Sequence, residues 1–518
     1  MVPAPVLVEP HDGPGFAISR ATTVRVEPDA PALRPVGRYL VAVLRAGPDG
    51  VRTGADGGVG AHAGGVGAAS AAGSADGVGG ADGEIVLSLE DDPAHGEEGY
   101  VLDSVAARLT IRAGTAAGLF RGVQTLRQLL PESGLQSGAS TVAPGRIVDR
   151  PRFPYRGVML DVARHFFGVA DVKRVIDLAA LYKLNYLHLH LTDDQGWRIA
   201  IDSWPRLATY GGGSDVAGGP GGYYTQDDYR EIVAYAADHH MTVVPEVDLP
   251  GHTNAALASY PELTGDGRAL DRYTGMEVGF SSLVAGNELT YTFLADVFAE
   301  LSALTPGPYL HIGGDEALVT GAREYRTIVS RAQEIVGRLG KAAIGWHEIA
   351  KAELAPSTVV QYWGITPDAD AVVAAAARGN KVILSPANRT YLDMKYDASS
   401  PLGQSWAGNI SLADAYGWDP ATRLPGLDPD AVLGLECPLW TETVRSIRDI
   451  EYLLLPRMPA LAEVAWSPAA AHDWDGFRRR LAAESARWIA LGADFFASPD
   501  VPGPGSTTHD GLEVEHLR

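Results

Sequence analysis

The sequence predicts an α/β protein, a (β/α)8 TIM barrel preceded by a smaller α+β accessory domain. Three observations carry that expectation. From Arg156 onward, short apolar runs alternate with longer segments of helical periodicity, the pattern of parallel βα units. Eight such runs occur over roughly 340 residues, enough to close a barrel with long loops. Nearly every run ends in a polar or aromatic residue, and the C-terminal ends of barrel strands are where such folds assemble their sites.

In chain order, the 518 residues suffice for two or three domains, or for one large barrel with an addition. Residues 1–150 read as the accessory domain, with strands at 84–89 and 107–111 and a helix from Ala116 that stops before Pro131. Within it, residues 47–83 are almost entirely Gly, Ala, Ser, Val and Asp. They are too poor in apolar bulk to fold and are expected to form a disordered inserted loop. The barrel is assigned to 151–500, with strands at 157–162, 186–191, 242–247, 309–312, 343–346, 359–363, 381–384 and 432–435, and a tail at 501–518. Among its helices, Val172, Val175, Ile176 and Ala179 share one face, and Thr225 with Asp228 forms a capping box ahead of Tyr229. A doubly wound open sheet is the alternative, but no glycine-rich phosphate turn follows the first strand.

Charge narrows the partners. Asp plus Glu number 64 against 42 for Lys plus Arg, a net charge of -22, which argues against nucleic acid or an anionic membrane surface and favours a neutral ligand. No transmembrane span is visible, nor a secretory leader, so the chain is cytoplasmic or exported with its leader absent. The single cysteine, Cys437, excludes an intramolecular disulfide and a cysteine-based zinc cluster, and it reads as a buried small hydrophobe.

The chemistry concentrates at the strand ends. The first supplies Asp161, Arg164 and His165, the second Asp193 and Asp194, the third Glu246, Asp248 and His252, and the fourth Asp315 and Glu316. The fifth supplies Trp346, His347 and Glu348, the sixth Trp363, and the eighth Trp440 and Glu442, while Tyr391 and Asp393 follow the seventh. Flat indole rings suit the C–H faces of a pyranose, and Arg, Asp and Glu suit its hydroxyls, so this mixture suggests a sugar pocket. Trp197, Trp204, Trp466, Trp474 and Trp488 lie outside the pattern and are expected in the core.

Asp315 and Glu316 follow a strand through two glycines, and alternation along the chain points them in different directions. Neighbouring carboxylates cannot easily sit on opposite faces of one sugar ring, as the usual two-carboxylate glycosidase requires. A glycosidase built on this pair needs a nucleophile from elsewhere.

The segments 156–165, 188–197, 245–252 and 311–316, the last reading His311-Ile312-Gly313-Gly314-Asp315-Glu316, closely resemble the β-N-acetylhexosaminidases of glycoside hydrolase family 20. The resemblance runs from about Pro151 to about Pro499, and residues 1–150 look like that family's accessory α+β domain. It implies an exo-acting enzyme that removes terminal β-linked N-acetylglucosamine or N-acetylgalactosamine with retention, as a monomer or homodimer, with no cofactor and no metal.

By the same resemblance Glu316 is the general acid and later the base, and the substrate's 2-acetamido oxygen is the nucleophile, forming an oxazolinium ion. Asp315 holds the acetamide N–H and Tyr391 donates to its oxygen. Trp346, Trp363 and Trp440 box the N-acetyl group and the ring. Arg164 takes the 3- and 4-hydroxyls, Asp393 and Glu442 the 4- and 6-hydroxyls, and Trp406 stacks on the next sugar. Asp193, Asp248 and His252 form a supporting group near Glu316.

Two other readings stay open at this level. A metal-dependent hydrolase could use His188 and His190 with His252, His311 and Asp315, although both histidines precede their strand end and are expected inside the barrel, satisfied by carboxylates. A non-catalytic sugar-binding protein is the other, but binding alone does not need Glu316.

Overall fold

The computed structural model describes residues 1–19, 22–46, 83–90, 95–130, 140–367 and 369–502. The inserted loop expected at 47–83 lies outside them apart from Gly83, and the tail expected at 501–518 lies outside apart from Val501 and Pro502. The chain divides into two compact units, Leu7–Val148 and a larger one formed by Met1–Val6 with Asp149–Arg518.

The smaller unit contains β1 (Leu7–Pro10), β2 (Phe16–Ile18), β3 (Thr23–Glu27), α1 (Arg34–Ala46), β4 (Glu84–Leu89), β5 (Tyr100–Val105), β6 (Arg108–Ala113), α2 (Ala116–Leu129), β7 (Ser140–Val142) and β8 (Gly145–Asp149). Six strands form a mixed sheet in the order β1-β8-β5-β6-β4-β3, and β2 pairs with β7. Helix α2 starts where the Thr115 hydroxyl accepts from the Gly118 N–H at 3.1 Å, which satisfies one of the first-turn donors a helix leaves open. It ends at Leu129, before Pro131, as expected. Leu119, Phe120, Val123 and Leu126 on α2 are fully buried, as are Ile85, Leu87, Leu109 and Ile111 on the sheet.

The larger unit opens with β9 (Tyr155–Asp161), α3 (Val169–Leu181), β10 (Tyr186–His190) and a short ribbon of β11 (Thr192–Asp193) and β12 (Gly196–Trp197). There follow α4 (Gln226–Asp238), β13 (Thr242–Glu246), α5 (Asn254–Ser259), α6 (Glu288–Leu304), β14 (Tyr309–His311), α7 (Ala322–Arg338), β15 (Ala342–Trp346), β16 (Val359–Tyr362), α8 (Asp370–Ala377) and β17 (Val382–Leu384). The chain continues through α9 (Ala387–Thr390), α10 (Leu412–Tyr416), β18 (Val432–Leu439), α11 (Ile447–Leu454), α12 (Arg457–Trp466) and α13 (Trp474–Ala490). The eight parallel strands β9, β10, β13, β14, β15, β16, β17 and β18 close into a barrel, with β9 paired to both β10 and β18. All eight expected strands are present.

Local signals placed the helices. The α3 face of Val172, Val175, Ile176 and Ala179 is fully buried. Thr225 and Asp228 cap α4 reciprocally, the hydroxyl accepting from Asp228 N at 3.1 Å and the carboxylate from Thr225 N at 2.9 Å. Cys437 is buried, its thiol 3.2 Å from the Gly157 carbonyl. Trp197, Trp466 and Trp488 are buried as expected, while Trp204 and Trp474 are only half-buried.

The difference lies in β18, which runs on to Leu439 instead of ending at 435. Glu436 looks like a strand terminator, yet its carboxylate turns into the barrel, accepting from Tyr155 Oη at 2.6 Å and Gln361 Nε2 at 2.7 Å, with His188 Nδ1 at 2.9 Å. A buried charge is tolerable when it is paired and hydrogen-bonded, so the strand continues through it.

Candidate active site

The barrel interior is polar. Glu246 on β13 is its hub, with His190 Nδ1 at 2.6 Å, His188 Nε2 at 2.9 Å, His311 Nδ1 at 3.0 Å and the Trp346 indole N–H donating at 2.8 Å. These groups are fully buried. Burial alone would depress His188 and His190. Glu436 and Glu246 beside the first, and Glu246 with Asp193 beside the second, push them up to about 9 and about 10. Burial would raise Glu246, but His311, His190 and His188 hold it well below the usual carboxylate range. Alternating charge thus stabilises a core that would otherwise be costly to bury.

This ladder leads upward to the strand ends. His190 Nε2 lies 2.8 Å from Asp193 Oδ2, Asp193 Oδ1 lies 3.1 Å from His252 Nδ1, and Asp193 also faces Arg164 Nη2 at 2.9 Å. His252 Nε2 then lies 3.6 Å from Asp315 Oδ2 and 3.4 Å from Glu316 Oε2. Burial would lower His252, but Asp193 and Asp315 raise it well above its ordinary value. Asp193 is held well below the usual range by Arg164 and His252 against the effect of burial. Asp315 and Asp248 both go up, chiefly through burial; the charge of Asp315 adds to the rise of Asp248.

The turn that carries the carboxylates is shaped by its glycines. Gly313 and Gly314 take φ of 63° and 112°, and an added Cβ on Gly313 would lie 1.6 Å from Asp248 Oδ1, the atom that accepts from Gly314 N at 3.0 Å. The Tyr325 hydroxyl donates to the Gly314 carbonyl at 2.6 Å and pins the turn from α7. Glu316 itself has φ of 45° and His252 φ of 54°, left-handed positions that cost a non-glycine residue about 1–2 kcal/mol each. Gly313→Ala is expected to push Asp248 away and to lose several kcal/mol of stability, of the size seen when a buried network is broken, about 3 kcal/mol or more. Thermal melting and kcat measured together check this, with both falling.

A pocket of about 530 Å³ opens at these strand ends, within the range of small-molecule sites. It brings together Arg164, Asp315, Glu316, Trp363, Tyr391, Asp393, Trp406, Trp440 and Glu442, with Met276, Val278 and Gln404 completing the lining. Glu316 is the more accessible carboxylate, its side chain 35% exposed against 11% for Asp315. Trp406 stands at the mouth, half exposed, and meets Tyr391 and Trp363 edge-on at 5.9 and 6.0 Å. Arg164 lies over the Trp440 ring at 4.8 Å and is oriented by Asp161, whose Oδ1 accepts from the Arg164 backbone N–H at 3.1 Å and whose Oδ2 accepts from Nη1 at 3.4 Å.

Both oxygens of Asp393, Oε2 of Glu442 and Oδ1 of Asp315 are buried without a well-formed hydrogen bond among the described residues. Burial, reinforced by the charge of Glu442, raises Asp393 well above the usual range, and burial raises Glu442 despite Arg164. Such orphaned acceptors are costly unless a ligand's hydroxyl or N–H groups complete them.

Four of the expected residues do not reach the pocket wall. Trp346 is fully buried beneath it, its ring 5.7 Å from Trp440, while Asp193, Asp248 and His252 lie behind the carboxylate pair. Of the groups proposed for a metal, His188 and His190 have carboxylate partners at both ring nitrogens. His188, Glu246 and His311 still place ligand atoms within 4.8 Å of one another, as do Asp248, His252 and Asp315.

The domain description "Glycosyl hydrolase family 20, catalytic domain" matches residues 153–328 and 319–469, and "Glycosyl hydrolase family 20, domain 2" matches 1–150. The chain belongs to glycosyl hydrolase family 20. A β-N-acetylhexosaminidase from Cellulomonas fimi is 46% identical over 98% of both chains. The family 20 β-N-acetylhexosaminidase of Streptomyces coelicolor A3(2) is 50% identical, covering 97% of this chain and 98% of its own, with a TM-score of 0.88. A mutant Streptomyces plicatus β-hexosaminidase, solved in complex with its product GlcNAc, is 53% identical over 97% of both chains, again with a TM-score of 0.88.

Several residues that build this family 20 pocket escaped the sequence reading. Glu436, beneath the pocket, was one of them, a charged residue inside an apolar run, whereas Glu246 was named at its strand end without its role as the hub of the histidines. Met276, Val278 and Gln404 had no signal, since they come from loops whose sequence carries no periodicity.

Proposed function

We propose that Glu316, Asp315 and Tyr391 carry out this chain's reaction, the hydrolysis of a terminal non-reducing β-linked N-acetylhexosamine. The enzyme is an exo-acting, retaining β-N-acetylhexosaminidase that works through an oxazolinium intermediate. The observation that carries the residue assignment is the placement of Asp315 and Glu316 around one histidine, on one side of the pocket. Carboxylates on adjacent residues of one turn, both facing the same imidazole, do not easily flank a sugar ring as acid and nucleophile.

Glu316 protonates the leaving oxygen and then activates water. The sugar's acetamide oxygen attacks the anomeric carbon, Asp315 accepts the acetamide N–H and offsets its growing positive charge, and Tyr391 orients the attacking oxygen. Both act as preorganised partners to charge that develops during the reaction. Arg164, Asp393 and Glu442 take the ring hydroxyls, Trp363 and Trp440 enclose the sugar with Trp346 as the layer below, and Trp406 at the mouth receives the aglycone. Asp193, Asp248 and His252 brace the carboxylate pair. Residues 1–150 act as the accessory region and 151–500 as the catalytic barrel of a monomer or homodimer whose partners include neither nucleic acid nor membrane.

Nitrophenyl β-N-acetylglucosaminide and β-N-acetylgalactosaminide, assayed side by side before and after exhaustive chelation, test this reading. Hydrolysis that survives chelation is expected; its loss would favour the metal-dependent alternative. His252 supplies a second test. Its folded-state value lies above the ordinary 6.5, so its contribution to stability is complete below that ordinary value and is lost as pH rises through the folded one. Asp193→Asn removes the chief cause of the rise and is expected to bring the imidazole titration, followed by NMR, back toward its ordinary value. An unchanged titration would uncouple the two residues.

A further inference from the structure

Glu348 has no part in the roles above. It lies just past β15, and its Oε2 accepts from the indole N–H of Trp363 at 3.1 Å. An indole has one polar group, a donor, so the partner of that N–H sets how the ring is turned. Trp363 forms part of the pocket wall, and the His347 ring packs against it at 5.4 Å, with His347 Nδ1 3.5 Å from Glu348 Oε2. The contact is largely shielded from water, because the Glu348 side chain is only 16% exposed.

We propose that Glu348 is a positioning residue for the hydrolysis, fixing the plane of Trp363 against the sugar through its carboxylate, with the firmness of that wall set by whether Glu348 is ionised. The proposal rests on the reading of Trp363 as a sugar-binding wall. The charged and titratable groups that face Glu348 are Asp315 from the turn after β14, Tyr325 on α7, Tyr391 just past α9, and His347 and Lys351 on its own turn. Burial first, then the charge of Asp315, pushes the carboxyl up to about 7, against the opposing pull of the Trp363 N–H and Lys351. Burial and Lys351 push His347 down to about 4, so it is a neutral neighbour at working pH. Glu348 therefore changes charge across neutrality. Its ionised form accepts a shorter, stronger hydrogen bond from the indole than its neutral form does.

The test compares Glu348→Ala, Glu348→Gln, Trp363→Ala and the Glu348→Ala/Trp363→Ala double variant in the full chain. The readout is kcat and KM on nitrophenyl β-N-acetylglucosaminide across neutral pH, with melting curves confirming the fold. Glu348→Ala is expected to lose on the order of 10- to 100-fold in kcat/KM, since a wall displaced by about 1 Å costs up to that much. Glu348→Gln keeps an acceptor and should recover most of the loss while abolishing the inflection near neutrality. In the Trp363→Ala background the Glu348→Ala loss should vanish, because the two act as one unit.

Wild-type kinetics and an unaltered pH profile for Glu348→Ala would overturn the proposal, as would an equal loss with and without Trp363. Full activity of Trp363→Ala alone would overturn the wall reading beneath it, a separate failure.

Discussion

Glu316→Gln is expected to abolish turnover while leaving affinity for the sugar nearly intact. Glutamine keeps the shape and a hydrogen bond but has no proton to give the leaving oxygen and cannot deprotonate water, so the loss falls on kcat, about 10²- to 10⁴-fold. It should be greatest for a disaccharide, whose sugar alkoxide is a poor leaving group, and smaller for an activated phenol that departs with less help. Binding of N-acetylglucosamine to the variant, measured by calorimetry, should change little, because Glu316 is the more exposed of the two carboxylates. Wild-type turnover of the disaccharide would remove Glu316 from the mechanism.

Asp315→Ala should change the kind of substrate the enzyme prefers as well as its rate. If the acetamide is the nucleophile, wild type should hydrolyse an N-acetylglucosaminide far faster than the analogue with a 2-hydroxyl in place of the acetamide. Asp315→Ala removes the partner of the acetamide N–H and should cost the natural substrate about 10²- to 10³-fold. It should barely affect the analogue, which has no such group, so the ratio between the two falls sharply. Burial raises Asp315 above its ordinary value, so the useful anion is lost as pH falls through that raised value, and the variant should lose the acid limb of the profile. An undiminished substrate ratio would place the nucleophile elsewhere.

Much of this architecture could be read from particular residues. The apolar runs at 186–191 and 309–312 announced strands because nothing in them competes with burial. The Thr225–Asp228 box marked α4 because its two hydrogen bonds are local in sequence. The end of β18 was missed because Glu436 is charged, and only its distance to His188 and Tyr155, more than 240 residues away in the chain, explains its burial. The neighbours Asp315 and Glu316 were legible as a pair. Their common partner His252 could be placed near Glu316 only through the family resemblance, since its own strand shows no more than a residue at its end.

The order of the strands, the position of the carboxylate pair and the need for a nucleophile outside that pair were determined by the sequence alone, since each follows from periodicity or from the alternation of adjacent side chains. Tertiary structure decided which tryptophan touches the pocket and which lies beneath it. It also decided that Glu246 draws three histidines and Trp346 to one point, and that the Glu348 carboxylate holds Trp363. The physical reason is the same in each case. Burial, charge pairing and pKa depend on distances between residues that the chain brings together from separate strands, and periodicity along one strand carries no information about its neighbour's side chains.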